Sequence, residues 1–530
     1  MLSLLLLSSS VAGSELRIHN ANELIKFSDS VNTGLLYTGT TVFLESDIDF
    51  TDELSQQFVP IGKDDGYYFL GTFDGQGHAI NNLTVNTYTR YAGLFGYSKG
   101  ATFKNLVLGD SSSVTSSGDS PYSSVAHAGG VIGYCIAIKG PCNFESVVNM
   151  ASVTFSGKLS DLNDNLYVGG LAGILTSSFH ESTVKNCANY GPVTQSGQSG
   201  LSHIGGLFGS SNGFSSWKNV YVQNCLNYGT IAHRGKTLNY FVIGGLIGRV
   251  QSNDIDNCAN YGKIESHEYE SHALIGGIVG TITHSSISRS YWSEHDRYDA
   301  YASLSFVAVE GITKFGESLE LNETVSVGAY TGASLLDALN AAADHYRLRD
   351  YSHWALNRNE STVAFAVNNA RSPVVLSAQF ILLPSLADDG SLHFNGWYTD
   401  SGCTAPLTDF VFAADTELYG KYEKEFRRYA ITFDLGGESF TSQSMQVGTV
   451  LALPNRSKKA NNCTVAFWEN EHGDRAEWSF TVPARNITLR AVWLCTYITT
   501  AEELIDFSKI AGSGSSCLEA TVYLDSDLGL

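Results

Sequence analysis

Long apolar runs are missing from this 530-residue chain. No stretch approaches the roughly 20 residues that cross a bilayer as a helix, so no helical membrane span is expected. Charged residues make up only 16%, below the quarter found in an average globular chain. Basic residues are the scarcer sign, 32 against 53 acidic, for a net charge of −21. With no basic stripe to offset that balance, a nucleic-acid partner and an anionic membrane surface are both disfavoured. Proline is scarce, at 9, and the 9 cysteines form no CxxC pair. No metal-binding cysteine pattern is therefore present, and a large β-core needs no disulfide framework. What remains is a chain rich in Gly, at 52 residues, with 43% hydrophobic and 12% aromatic residues. Such a composition favours β-structure, because β-branched and aromatic side chains suit a pleated sheet and Gly suits its corners. The length exceeds one ordinary core, so several domains are expected.

Residues 1–13 read as a secretory signal peptide: Leu2 to Leu7 is apolar but for Ser3, and small residues follow, although the usual basic flank is missing. Asn-x-Ser/Thr sequons begin at Asn82, Asn322, Asn359, Asn455, Asn462 and Asn486. They are possible glycosylation sites if the chain takes a eukaryotic secretory route.

Repeats dominate the sequence. A small-Gly-apolar-x-Gly block begins at Ala92, Gly129, Gly169, Gly205, Gly244 and Gly276, with steps of 37, 40, 36, 39 and 32 residues. A second block, Asn-Cys-x-Asn-Tyr-Gly, begins at Asn186, Asn224 and Asn257, with a degenerate copy around Val148 and Asn149. The interval from Asn-Tyr-Gly to the next Gly-Gly is nearly constant, whereas the return interval varies. A stacked coil with one fixed face and one loop-bearing face behaves in this way. Cys187, Cys225 and Cys258 recur in register and should form an inward ladder. The expected class is all-β: a right-handed parallel β-helix over residues 15–330, with each period holding two coils of about 18 residues and strands of about five. A β-propeller is the competing architecture. The one amphipathic helix expected is residues 334–345, with Ser334 as N-cap, in a capping segment at 331–375.

Residues from about 15 to 370 resemble proteins carrying the GLUG motif. The likeness rests on TVFLESDIDF, FVPIG, GTFDGQGHAINNLTV, AGLFG with FKNLVL, the alternating GGxxG and NCxNYG blocks, and LLDALN. It implies a parallel β-helix on secreted or surface proteins, and no single activity. Further on, Trp397 and Tyr422 recur 71 residues later as Trp468 and Trp493. These copies, a degenerate one at 376–425 and a fuller one at 426–495, resemble the Listeria–Bacteroides repeat, which implies small β-grasp-like modules. Residues 496–530 start the pattern again: Glu503-Leu504-Ile505 matches Glu23-Leu24-Ile25 at a displacement of 480. They read as the incomplete start of a second β-helix unit.

No catalytic constellation is recognised, and no cofactor or metal is expected. Gly118-Asp119-Ser120-Pro121 lacks the two Gly that would build a protease oxyanion loop. His267 and His272 are five apart, which puts them on opposite faces of a strand. Asp47, Asp49 and Asp74 lie in corner motifs without the recurring carboxylate pair that glycoside cleavage needs. The candidate binding face is the variable-length side, Leu175 to Ser182 and Ser210 to Lys218, with Phe179, Phe214 and Trp217 as exposed aromatics. The function expected is an adhesin or interaction module for an extracellular glycan or protein. The alternative is a secreted carbohydrate-active enzyme of the β-helix type.

Overall fold

The computed structural model describes residues 14–117, 124–213, 220–266, 273–293, 298–305, 308–310, 312–315, 319–327, 330–345, 351–367, 370–384, 392–424, 428–435, 439–446, 450–453, 457–458, 463–470, 475–476, 479–481, 486–495, 497–498, 501–512 and 523–524. The proposed signal peptide therefore lies outside the described residues. The chain divides into two compact units, the first formed by residues up to Ala387 with Gly396–Lys421, the second by Asp388–Asn395 with Tyr422–Leu530.

The first unit is a parallel β-helix. One coil shows the plan, with strands at Ser182–Lys185, Ala188–Asn189, Val193–Gln195, Gln198–Gly205 and Phe208–Gly213. These belong to five sheets, here numbered I to V in that order. Each strand pairs in parallel with its counterpart one sequence repeat later. Among the described residues the sheets hold 10, 11, 6, 6 and 7 strands. A repeat is thus one wide coil of five strands, not two coils of 18 residues. Turns at the Gly blocks add corners that strand-length arithmetic alone does not count.

Sequence periodicity becomes columns of like side chains. On sheet III, Val153, Val193, Ile231 and Ile264 stand in register and are buried in the interior. Sheet I carries Phe73, Phe103 and Phe144 in the same way, with Phe103 and Phe144 in ring contact at 5.1 Å. Cys187, Cys225 and Cys258 are fully buried free thiols in the same core. Each thiol donates to the carbonyl two residues before it, at 3.2, 3.1 and 3.2 Å. Burial raises the Cys225 pKa, as expected for a thiol in apolar surroundings. A disulfide is nevertheless present: Cys135–Cys142 ties the end of one sheet V strand to the approach of the next sheet I strand. Cys463 is also disulfide-bonded.

Helices are more numerous than expected. Helix α1 (Ala21–Asn32) begins at an Asn20 cap whose side chain accepts from the Glu23 amide. It connects two sheet I strands and buries Leu24, Phe27 and Val31 in the core, with Phe27 against Phe69 at 5.7 Å. A short α2 (Asp52–Gln57) follows, capped by Thr51. The anticipated helix is α3 (Leu335–His345), while Ser334 ends the preceding strand. It lies in a second core on the outer side of sheet II, with Leu226, Ala259, Trp354 and Phe380.

In the second unit, Arg428–Asp434 pairs in parallel with Ile487–Cys495, which pairs antiparallel with Cys463–Glu469. Ile431, Phe433, Trp468, Leu489 and Trp493 form its core. Helix α4 (Ala501–Gly512) packs on the strand Ile487–Cys495. It is joined by Tyr497–Ile498 and Tyr523–Leu524, a parallel pair in the register Tyr497↔Tyr523 and Ile498↔Leu524. The N-terminal strands flanking α1 pair as Arg17↔Phe43 and Ile18↔Leu44. The sequence displacement of 480 is therefore a repeated strand–helix–strand unit, and the tail includes a helix that the opening-strands reading lacks.

Candidate functional site

Each letter of the Asn-Cys-x-Asn-Tyr-Gly block has a structural task. Asn186, Asn224 and Asn257 turn the corner before sheet II at φ of 54, 51 and 52°, a left-handed conformation that Asn tolerates better than most residues. Cys points into the core, and the next residue points out. The second Asn points in: Asn149, Asn189 and Asn227 each donate to the next Asn up the stack at 2.8, 2.9 and 2.9 Å. The Tyr points out, and its hydroxyl meets a strap of the same chain. Leu382 donates to Tyr190 at 3.2 Å and Gln379 to Tyr228 at 3.1 Å, while Tyr261 donates to the Gln379 side chain. Trp354 completes the cover, its Nε1 donating to Asn224 at 2.9 Å. The outer side of the block that stands out most in sequence is therefore largely covered by residues 351–367 and 370–383, with Tyr190, Tyr228 and Tyr261 half-buried against them.

A different face carries a second set of columns. Sheets IV and V meet at the Gly-Gly turn, and on their outer side two columns confront each other. On sheet IV the column runs Tyr91, His127, Tyr167, His203, Val242. On sheet V it runs Tyr97, Tyr134, Ile174, Ser210, Arg249, Thr281. The rings of the first column stack at centroid distances of 5.1, 5.3 and 5.0 Å. His127 also stacks on Tyr134 across the corner, at 5.1 Å with planes 11° apart. The last Gly of the repeat block makes this approach possible. A Cβ at Gly133 or Gly209 would fall within about 3 Å of the sheet IV backbone of the coil below.

Most of these rings are buried: Tyr91, Tyr97, His127 and His203 are 7, 6, 5 and 2% exposed. Burial holds the pKa values of His127 and His203 down to about 3, against 6.5; Arg249 adds to the effect at His203, while at His127 a hydrogen bond with the Arg90 backbone partly opposes it. Burial also raises the phenols of Tyr91, Tyr97, Tyr134 and Tyr167. Neither ring nitrogen of His203 makes a well-formed hydrogen bond. Tyr134 and Tyr167 are half-exposed, as are Asn165, Tyr240, Asn212 and Gln251, while Arg249 is exposed. At the Tyr91 end lie Asp64 and Asp65. The first accepts from the Gly66 and Tyr67 amides at 2.8 and 3.1 Å, and the second pairs with Lys99.

The residues singled out from sequence do not gather. Phe179 is 65% exposed on the loop between sheets V and I, and Phe214 and Trp217 lie outside the described residues. Much of the segments assigned to loops is strand, Ala172–Ser177 and Phe208–Gly213. Gly118 to Pro121, His267 and His272 also lie outside the described residues. Asp74 accepts from Gln76 and Asn105 at 2.9 Å each and pairs with Lys104 at 3.1 Å. Asp47 bonds His78 at 3.0 Å, and Asp49 is exposed on its short strand. Of the sequons, Asn82 is exposed at a corner with φ 56°. Asn359 donates to the Ala413 carbonyl at 2.5 Å, and Asn486 accepts from the Ala430 amide at 2.8 Å. Asn455 and Asn462 lie outside the described residues, as does the Asn322 side chain. The sheet IV column does carry a signal in the sequence: Tyr or His stands one or two places before the start of each of the first four small-Gly-apolar-x-Gly blocks, as Tyr91, His127, Tyr167 and His203.

The architecture is thus that of a repeat solenoid followed by a small β-module. Residues 429–492 match the family model of the Listeria–Bacteroides repeat domain. No curated protein gives a significant match. A solved structure from Bacteroides ovatus, named "putative immunoglobulin A1 protease", is 18% identical, with a TM-score of 0.39, over 61% of this chain and 86% of that one. At that score the likeness carries no functional argument.

Proposed function

We propose that this chain is an extracellular repeat protein of GLUG-motif type that acts as an adhesin or interaction module, its solenoid presenting a binding face to a glycan or protein. The Listeria–Bacteroides repeat supports the location, since such repeats are typical of extracellular and surface proteins. No helix among the described residues is long and apolar enough to cross a membrane. The observation that carries the binding reading is the outer side of sheets IV and V, where Tyr134 and Tyr167 are half-buried beside the exposed Arg249 and the half-buried amides of Asn165, Asn212 and Gln251. Partly exposed aromatic rings beside polar groups are a common form of ligand-contacting surface.

The second reading, a carbohydrate-active enzyme, draws on Asp64 and Asp65, neighbours in sequence near Tyr91. Both are already engaged, one in a turn and one with Lys99, which argues against a free acid–base pair. The test is to incubate the purified full chain with panels of polysaccharides and extracellular-matrix proteins. Saturable binding without cleavage is expected. Release of reducing or unsaturated ends at enzyme-like rates would overturn the adhesin reading in favour of the enzyme. Staining of intact, unpermeabilised cells should place the protein outside.

A further inference from the structure

We infer that the strand–helix–strand unit at 497–524 is a β-helix cap, and that the apolar side of α4 takes the first coil of a β-helix whose own cap position is empty. A stacked solenoid has apolar ends that a cap must cover. In the first unit that position is filled by the strands Ser14–Ile18 and Thr40–Leu44 with α1 between them. The two strand–helix–strand units agree residue for residue. Tyr497↔Tyr523 and Ile498↔Leu524 are Arg17↔Phe43 and Ile18↔Leu44 moved by 480 positions, with no slip in register. Ala21, Leu24, Phe27 and Ser28, from the buried side of α1, recur as Ala501, Leu504, Phe507 and Ser508.

What differs is the side by which each helix is held. At 3.6 residues per turn, positions 504, 507 and 508 share one side of α4, and position 506 faces away from it. Helix α1 uses the first side: Leu24, Phe27 and Ser28 are 0, 3 and 1% exposed, while Lys26 is exposed. Helix α4 uses the second. Asp506 is 1% exposed and bonds Arg490 and Trp493, while Leu504 and Phe507 are half-buried and Ser508 is exposed. Docking on the repeat module requires Asp506, which stands where α1 has a lysine. It does not require the opposite side to keep the identities of α1. Among the described residues, Tyr523–Leu524 also pairs on one edge only.

The solenoid shows what chemistry completes such a surface. The strand Thr40–Leu44 takes Thr72–Asp74 on its second edge, in the register Val42↔Phe73 and Phe43↔Asp74. The Phe27 ring meets Phe69 at 5.7 Å and Phe73 at 6.2 Å, and the Ser28 hydroxyl donates to the Val59 carbonyl. The occupant of the α4 unit is therefore a coil that offers a parallel strand, inward aromatic rings and a carbonyl at the matching positions. The solenoid of a second intact copy is not such an occupant, because α1 already fills its end. Two positions weaken the copy. Ala511 and Gly512 stand for Val31 and Asn32, and Asn32 donates to the Pro60 carbonyl and accepts from the Gly62 and Lys63 amides.

The test moves the unit to an open cap position. In the full chain, residues 17–44 are replaced by the sequence of 497–524, and amide hydrogen exchange is followed over residues 58–117, the coils next to the cap. A chain with a Gly/Ser linker of equal length at 17–44 gives the uncapped reference. Exchange in the chimera should be about tenfold or more slower than in that reference, yet faster than in the parent, because Asn32 is lost. The chimera carrying Leu504→Asp and Phe507→Asp in the transplanted segment should exchange as the reference does. The same pair at the native tail should lower the melting of the second unit by less than Asp506→Ala does. Three results would overturn the inference: exchange in the unsubstituted chimera as fast as in the reference, protection kept by the doubly substituted chimera, or a larger loss from the pair at the native tail. The last would make the apolar side of α4 part of the repeat module.

Discussion

At the scale of single residues, the two repeat blocks prove to be one interlocked device. The second Gly of the Gly-Gly pair faces the inward Asn of the other block. A Cβ at Gly170, Gly206 or Gly245 would collide with the carboxamide of Asn189, Asn227 or Asn260. Those carboxamides are fully buried and also bond the backbone carbonyl two residues on, as Asn227 does to Gly229 at 3.0 Å. We expect Gly206→Ala to cost about 1–3 kcal/mol from overpacking, and Asn227→Ala about 2–4 kcal/mol from buried groups left unpaired. The same Cβ would also lie 2.4 Å from the Gly245 carbonyl oxygen, so Asn227→Ala relieves only the carboxamide share of the clash, and the double variant should cost somewhat less than the sum, as measured by chemical denaturation. Strict additivity would mean that the backbone approach alone is the reason for the Gly.

The buried histidines of the sheet IV column make a second residue-scale prediction. His127 and His203 are held at about 3 in the folded chain, against 6.5, so the unfolded chain takes up protons first as pH falls. Their contribution to stability is complete above pH 6.5 and is lost as pH drops towards 3, by at most about 1.4 kcal/mol per pH unit for each. A His127→Phe, His203→Phe variant should show a shallower fall in Tm between pH 6.5 and about 4. An identical slope would mean that the imidazoles stay hydrated.

At the scale of elements, register is set by charge as well as by apolar columns. On sheet I, Asp74, Lys104, Glu145 and Lys185 succeed one another in register with alternating sign. Lys185 meets Glu145 at 2.9 Å, and a one-coil slip would bring like charges together. The strand–helix–strand unit at each end shows one element in two settings. Helix α1 buries its apolar face in the solenoid, whereas α4 leaves Ile505 55% exposed and Leu504 and Phe507 half-buried. In place of that core, α4 is held by Asp506, which accepts from Arg490 at 2.6 Å and from the Trp493 amide at 3.1 Å. Asp506→Ala should therefore destabilise the second unit by about 2–3 kcal/mol, somewhat less than a fully buried pair because Arg490 keeps Glu469. The solenoid's own transition should not move, since solenoid contacts are local. Calorimetry of the full chain tests both, and a joint shift of the two transitions would contradict the second.

At the scale of the whole molecule, one side of the solenoid is covered by its own chain. The strap at 351–383 seals sheet II through Trp354, Phe380 and Leu382, with Ser352 and Asn186 bonded at 3.0 Å. Trp354 is fully buried, so Trp354→Ala should cost about 3–5 kcal/mol. It should also expose the Tyr190, Tyr228 and Tyr261 column as a surface patch, detectable as binding of a hydrophobic dye. A variant that melts normally and binds no dye would show the strap to be dispensable.

The sequence by itself determined the β class, the stacking of repeats, the inward cysteine column and the C-terminal module, because each is a matter of period: residues one repeat apart must meet once the chain coils. The number of strands per coil, the helices α1, α2 and α4, and the covering of sheet II were decided only by the tertiary structure. A repeat of about 37 residues can wind as one coil or two, and nothing local distinguishes them. Tyr190 and Tyr167 illustrate the rest, for both are outward, half-buried tyrosines in register columns. Only the path of a strap more than 150 residues further along the chain decides that the first accepts a hydrogen bond from the Leu382 amide.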